Sequence, residues 1–189
     1  MLFCLLLFLE FTTPIEKIAV YRNQTDVYCD MTTGNLIDST STKHLISGVP
    51  LLIEIKFRLE AETGHSSFNS VDTIRLGYDI WNDTYEWKHG SEEMHFKDLE
   101  EIRQKVRRFT STIVALDRLE PTTTYHLRAS IQLFHLRDTS QLTSQSNPLG
   151  FLKSGLHFFV RLFFGWLSSG EKPVWYSSDP FTRASLSFK

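Results

Sequence analysis

The chain has 189 residues, of which 41% are hydrophobic and 22% charged, and its formal net charge is −2. That length suits one domain able to bury a core without metal or disulfide staples, and the composition excludes a disordered chain. The near-neutral balance excludes the global basic field expected of a nucleic-acid binder.

The N-terminus, "MLFCLLLFLEFTTPIEK", carries an apolar run from Leu2 to Leu9. This matches the h-region of an export signal and is far shorter than the ~20 residues a spanning helix needs. No Lys or Arg precedes the run and no Ala-x-Ala site follows it. We divide the chain into a signal-like segment over residues 1–13 and a single domain over 14–189. Cys4 lies in the first piece, so its removal leaves Cys29 with no intramolecular partner.

Lys17 to Thr33 is rich in β-branched and aromatic residues and reads as one long or two short strands. Ser39 to Gly48 reads as a short helix, with Ser41 or Thr42 as N-cap and Gly48 as C′. Val49 to Glu62 is the clearest strand: Leu51, Ile53, Ile55, Phe57 and Leu59 alternate with Glu54, Lys56, Arg58 and Glu60. One apolar and one charged face is the pattern of antiparallel sheet. "GHSSFNS" reads as a loop. "DTIRLGYDIW" alternates again, with Ile74, Leu76, Tyr78 and Ile80 inward. A hairpin at Asn82-Asp83 leads to a strand bearing Tyr85 and Trp87.

"HFKDLEEIRQKVRRF" predicts a helix capped by Asp98, with Glu101 completing a capping box and Leu99, Ile102, Val106 and Phe109 as its apolar stripe. Its basic run, "RQKVRRF", reads as a solvated face. "STIVALDRL" predicts a strand. "TTTYHLRASIQLFHL" predicts another, with Tyr125, Leu127, Ala129, Ile131 and Leu133 on one face. "VWYSSDPFTRASLSF" predicts a last strand. Strands without a βαβ series predict a mainly β fold: an antiparallel β-sandwich of fibronectin or immunoglobulin type, with one or two inserted helices and an apolar C-terminal helix.

Leu119-x-Pro121-x-Thr123-x-Tyr125 resembles the L-x-P-x-T-x-Y sequence that leads into strand F of fibronectin-type sandwiches. There a buried tyrosine hydroxyl meets upstream backbone at a corner, so Tyr125 and Pro121 are expected to be structural. The aromatic cluster "GYDIWNDTYEW" reads as core packing around a hairpin, with a ligand platform as the alternative. No residues mark a catalytic, cofactor or metal site. The histidines (His44, His65, His89, His95, His126, His135 and His157) show no H-x-x-x-H spacing, and phosphate-loop and G-x-S-x-G sequences are absent. "NQT" at Asn23 and "NDT" at Asn82 fit the glycosylation sequon.

The segment at about 148–169, "PLGFLKSGLHFFVRLFFGWLSS", is the most apolar of the domain. As a helix over 149–168 it would be about 30 Å long. Lys153, His157, Arg161 and Gly165 would form one stripe, and Phe151, Leu152, Phe158, Phe159, Phe163 and Trp166 would cover much of the rest. A cationic stripe opposite an aromatic face is the pattern of an in-plane interfacial helix. Burial against the domain and a protein-partner groove are the other two readings. The residues assigned to membrane or partner contact are Phe151, Leu152, Lys153, Phe158, Phe159, Arg161, Phe163 and Trp166.

The signal-like start, "LISGVPLLIEIKFRLE", "YDIWNDTYEW", "FKDLEEIRQKV", "LEPTTTYHLRASIQL" and the late "PLGFL…W" segment followed by "VWYSSDPF" together resemble a bacterial envelope family of uncharacterised proteins, domain of unknown function 4390. The resemblance runs from about Val27 to Phe181. It implies an exported β-rich domain without known activity, and it carries over no catalytic residues. The expected function is a non-enzymatic periplasmic envelope domain that binds a protein partner or a membrane surface and is membrane-associated, with no cofactor and no nucleic acid. The alternatives are an extracellular receptor or adhesion module and an enzyme of unknown reaction.

Overall fold

A computed structural model describes residues 15–64, 67–135 and 173–189. Its first two strands, β1 (Ile15–Arg22) and β2 (Asp26–Thr33), form an antiparallel hairpin. The turn closes because the Asn23 carboxamide oxygen accepts the N–H groups of Thr25 at 2.8 Å and Asp26 at 2.7 Å, an Asx turn. On β2, Val27, Cys29, Met31 and Thr33 point inward. Burial pushes the Cys29 thiol up to about 12, so this free cysteine behaves as a small apolar side chain.

Helix α1 (Ser39–Ile46) follows. Its N-cap is Asp38, not Ser41 or Thr42: the Asp38 carboxylate accepts the Ser41 N–H at 2.7 Å, and Ser41 is buried one turn inside. Gly48 ends the helix at φ +82°, where a Cβ-bearing residue is strained. The chain then enters β3 (Leu51–Ala61), whose alternating apolar face from Leu51 to Leu59 is buried as the pattern requires.

β4 (Ser67–Asp79) is longer than the sequence pattern indicates. It starts within the stretch read as a loop, because β3 supplies a paired edge as far as Glu60 opposite Ser67, with Phe68 opposite Leu59. Small polar residues there conceal a strand whose register β3 dictates. Ile74 and Leu76 are buried and Tyr78 half-buried, whereas Ile80 lies in the turn and is 62% exposed, against expectation. β5 (Thr84–His89) buries Tyr85 and Trp87. β6 (Glu92–Phe96), unanticipated, pairs with β5 through the Gly90-Ser91 turn, whose Gly90 has φ +58°.

Helix α2 (Leu99–Arg107) is capped by Asp98, which accepts the Glu100 N–H at 2.9 Å. The cap contact is to Glu100 and does not use the Glu101 box. Phe109 is not the last rung of the helix. It is the first buried residue of β7 (Arg108–Ala115), and its three-residue spacing from Val106 arises because the chain passes straight from helix to strand. The hydroxyl of buried Thr33 donates to the Val106 carbonyl at 3.0 Å, tying α2 to β2.

β8 (Thr124–His135) runs antiparallel to β3 over eleven residue pairs. Tyr125, Leu127 and Ala129 are fully buried, and Ile131 and Leu133 pack partly exposed against the core. The C-terminal stretch forms two short strands, β9 (Tyr176–Ser177) and β10 (Phe181–Thr182), both paired with β8. Pro180 lacks an N–H for the ladder between them.

The fold is mainly β, with two helices and two antiparallel sheets among the described residues. The smaller sheet has the order β1-β2-β7. The larger has β10-β8-β3-β4-β5-β6, with β9 beside β8. Inward side chains of both sheets belong to one buried cluster. The chain end links the sheets again: beyond β10, the Arg22 N–H donates to the Ser187 carbonyl at 3.0 Å and the Lys189 N–H to the Arg22 carbonyl at 3.2 Å.

Candidate functional site

The Tyr125 hydroxyl accepts the backbone N–H of Glu120 at 3.0 Å. The arch from β7 into β8 leaves this N–H without a ladder partner, and the phenol, fully buried at its ring, reaches back to supply one. Pro121 is exposed beside it. We expect Tyr125→Phe to cost about 1–2 kcal/mol of stability in urea unfolding, since it removes the acceptor but keeps the ring. A cost near zero would show that water satisfies Glu120 equally well.

One polar cluster joins the two sheets. Ser111 on β7 donates its hydroxyl to Asp72 Oδ2 on β4 at 2.5 Å, and His89 Nε2 on β5 lies 2.8 Å from the same oxygen. Serine, histidine and aspartate together invite comparison with a nucleophilic triad, but the order differs. A triad places the imidazole between hydroxyl and carboxylate so that it can take the serine proton. Here the carboxylate is in the middle, so the Ser111 proton points at Asp72 and the imidazole does not activate it. The cluster acts as a cross-sheet clamp.

Burial alone would push the Asp72 carboxyl up, but the hydrogen bonds from His89 and Ser111 outweigh it and hold it below the usual range. The bond to Asp72 raises the His89 imidazole above its ordinary value, against the opposing effect of burial. Glu92 adds to that rise and Lys105 opposes it. The lowered Asp72 therefore contributes stability above its unfolded value near ~3.9, lost as pH falls through the folded one. The raised His89 contributes stability below its unfolded value near ~6.5, lost as pH rises through the folded one. We expect stability to decline as pH rises above about 6.5 and through the raised folded value of His89, and His89→Gln to flatten this limb. A His89→Gln profile parallel to that of the wild type would mean that the pair contributes nothing.

Beside the clamp lies an open cleft of about 420 Å³ between the β5–β6 turn, the end of α2 and the start of β7. Trp87, His89, Glu92, Lys105 and Arg108 are among the residues that line it. The Lys105 ammonium sits 4.6 Å from the centre of the Trp87 ring, a cation–π contact. The basic run of the sequence is thus divided. Arg103 is half-buried, 3.6 Å from Glu100, and donates to Thr42 at 3.2 Å; Lys105 covers Trp87; Arg107 and Arg108 are exposed.

The β4–β5 hairpin tip has the opposite character. Asp79 Oδ1 accepts the N–H groups of Trp81 at 2.9 Å and Asn82 at 3.2 Å, and Asp79 Oδ2 accepts the Asn82 carboxamide at 2.6 Å. The hydrogen bonds from Asn82, the largest effect, and from the Trp81 N–H lower the Asp79 carboxyl. Asp83 occupies the left-handed region at φ +51° and accepts from the Tyr78 hydroxyl. The turn is therefore held by its own side chains. At its apex Trp81 is 96% exposed and Ile80 62% exposed. Asp79 and Asp83 are thus both engaged in shaping the turn.

Among the described residues no group of three or more His, Cys, Asp or Glu side chains is placed to hold a metal ion. The rings of His44 and His135 meet edge-to-face at 4.5 Å without such a group, while His95 and His126 pair with Glu93 and Glu62 at 3.4 and 3.2 Å. No helix among the described residues is long and apolar enough to cross a membrane. The contact residues assigned from the sequence (Phe151, Leu152, Lys153, Phe158, Phe159, Arg161, Phe163 and Trp166) lie outside the described residues, as do the proposed signal segment, His65 and His157.

Sequence reasoning missed two features. Trp81 is read as core from the aromatic composition of its segment, yet its position between Asp79 and Asn82-Asp83 was a turn signal that places an aromatic in solvent. The clamp joins residues 72, 89 and 111, which no local spacing connects. In comparisons with known proteins, no family model, no curated protein and no solved structure matches the chain.

Proposed function

We propose that this protein is a non-enzymatic binding domain of the bacterial envelope, exported to the periplasm, whose two sheets pack as a sandwich and whose β4–β5 tip docks on a protein partner. The sandwich is supported by the single buried cluster to which both sheets contribute. The observation that carries the binding reading is the exposure of Trp81 on a turn already rigidified by Asp79, Asn82, Asp83 and Tyr78. An indole left in water contributes nothing to the fold, and a turn that holds it in one place lowers the ordering cost of binding. Tryptophan is enriched among the residues that dominate interface energies, where a partner pocket buries it inside a polar rim. The acidic rim of Asp79 and Asp83 favours a partner pocket bordered by Lys or Arg and disfavours an anionic lipid surface.

Membrane association is the second reading. It rests on the amphipathic pattern of 149–168, where only Lys and Arg carry charge. The two readings separate by photo-crosslinking in cells of the native host. A photoactivatable residue in place of Trp81 is expected to trap one protein adduct that the same probe at Arg118 does not. Lipid adducts alone at position 81, or the same products from both positions, would remove the docking role of the tip.

A further inference from the structure

The 420 Å³ cleft has an unbalanced charge that the binding reading above does not use. Two cations line it, Lys105 from α2 and Arg108 from β7, together with the imidazole of His89 from β5. One carboxylate, Glu92, lines it as well. Asp72 stands behind the imidazole and is already bonded to it and to Ser111. Among the described residues Arg108 and Lys105 have no carboxylate within ion-pair distance, although most cations of the large sheet do: Lys56 with Glu54, Arg58 and Arg128 with Glu60, Lys88 with Glu93. Lys105 is instead held over Trp87, which keeps its ammonium at the cleft. The lip is open: a Cβ built on Gly90 meets nothing within 4 Å.

We propose that this cleft is an anion site for a phosphate group, with Arg108 and Lys105 as its charged ligands and His89 as a third donor. Arginine offers a planar fork that takes two oxygens of one anion and lysine a point charge; the imidazole, its Nε2 committed to Asp72, donates from Nδ1 in its imidazolium form. Donors converging from three elements match the several oxygens of a phosphate better than the two of a carboxylate. The phosphate is that of a small phosphomonoester or of a lipid headgroup; the recognition chemistry is the same.

The test uses the full chain at low ionic strength. Inorganic phosphate is titrated while backbone amide resonances are followed by NMR, with chloride at matched ionic strength as control. The proposal expects saturable shifts confined to residues about the cleft, including Gly90, Ser91 and Thr110. Arg108→Gln should weaken binding about tenfold or more with an unchanged unfolding midpoint, since the exposed Arg108 side chain has no ion-pair partner to lose. Arg118→Gln, on the 3₁₀ turn after β7, should leave binding unchanged. Sedimentation with phosphatidylcholine vesicles with and without phosphatidic acid identifies the source. Cosedimentation that requires phosphatidic acid and is lost in Arg108→Gln assigns a lipid headgroup; saturable phosphate binding without cosedimentation assigns a soluble ester. Non-saturable or scattered shifts, or equal weakening by Arg108→Gln and Arg118→Gln, would overturn the site.

Discussion

Replacing Ile55 with alanine is expected to lower the stability of the domain by about 2–5 kcal/mol. Ile55 is at the middle of β3, the strand between β4 and β8 in the large sheet, and its side chain is wholly shielded from solvent. Its pairs are Asp72 on β4 and Ile131 on β8. Truncation loses the transfer energy of the removed carbons and leaves a void that two flanking strands, both hydrogen-bonded, cannot collapse to fill. The control is on the other face of the same strand. Arg58 is exposed and its ion pair with Glu60, at 2.8 Å, is a surface pair, so Arg58→Ala should change stability by no more than about 0.5–1 kcal/mol. Urea unfolding of both variants checks the alternation directly. Comparable losses in the two would mean that β3 does not separate a buried from a solvated face.

The same strand shows what was legible in the sequence. Five apolar residues alternating with four charged ones admit one backbone period, and the structure buries the apolar set from Leu51 to Leu59. β8 was legible for the same reason, and Asp98 as a cap because a carboxylate ahead of a helical stripe has one local use. Where reading failed, a partner decided the outcome. Ser67 to Val71 carries no strand pattern of its own and is a strand because β3 lies beside it. β6 is similarly induced by β5 across the Gly90 turn. Phe109 fitted a helical stripe and a strand face equally, since a three-residue step from Val106 does not distinguish them.

The candidate sites divide along the same line. Tyr125 was readable because the corner is local: its acceptor oxygen and the Glu120 N–H are five residues apart. The clamp and the cationic cleft were not, because Asp72, His89, Lys105, Arg108 and Ser111 come from four elements that only the sheet order and the placement of α2 bring together. Trp81 was misread for a different reason. Composition makes an aromatic-rich segment look like core, while the turn chemistry of Asp79, Asn82 and Asp83 decides which of its rings face water.

Replacing Trp81 with serine is expected to weaken partner binding by about 30-fold or more, equivalent to about 2 kcal/mol for one central aromatic contact. It should leave the unfolding midpoint where it is, because a side chain 96% exposed contributes almost no burial to the fold. The turn should persist, since Asp79 accepts the backbone N–H of residue 81 and not its side chain. Asp79→Ala is the companion: it keeps the indole but frees the turn, and should weaken binding by a smaller factor through lost preorganisation. The decisive measurement is the equilibrium affinity of the protein crosslinked at position 81, purified and titrated against wild-type chain and Trp81→Ser at matched stability. The account predicts a loss of about 30-fold or more for Trp81→Ser. Equal affinities for the two proteins would contradict it and remove the hairpin tip as the docking element.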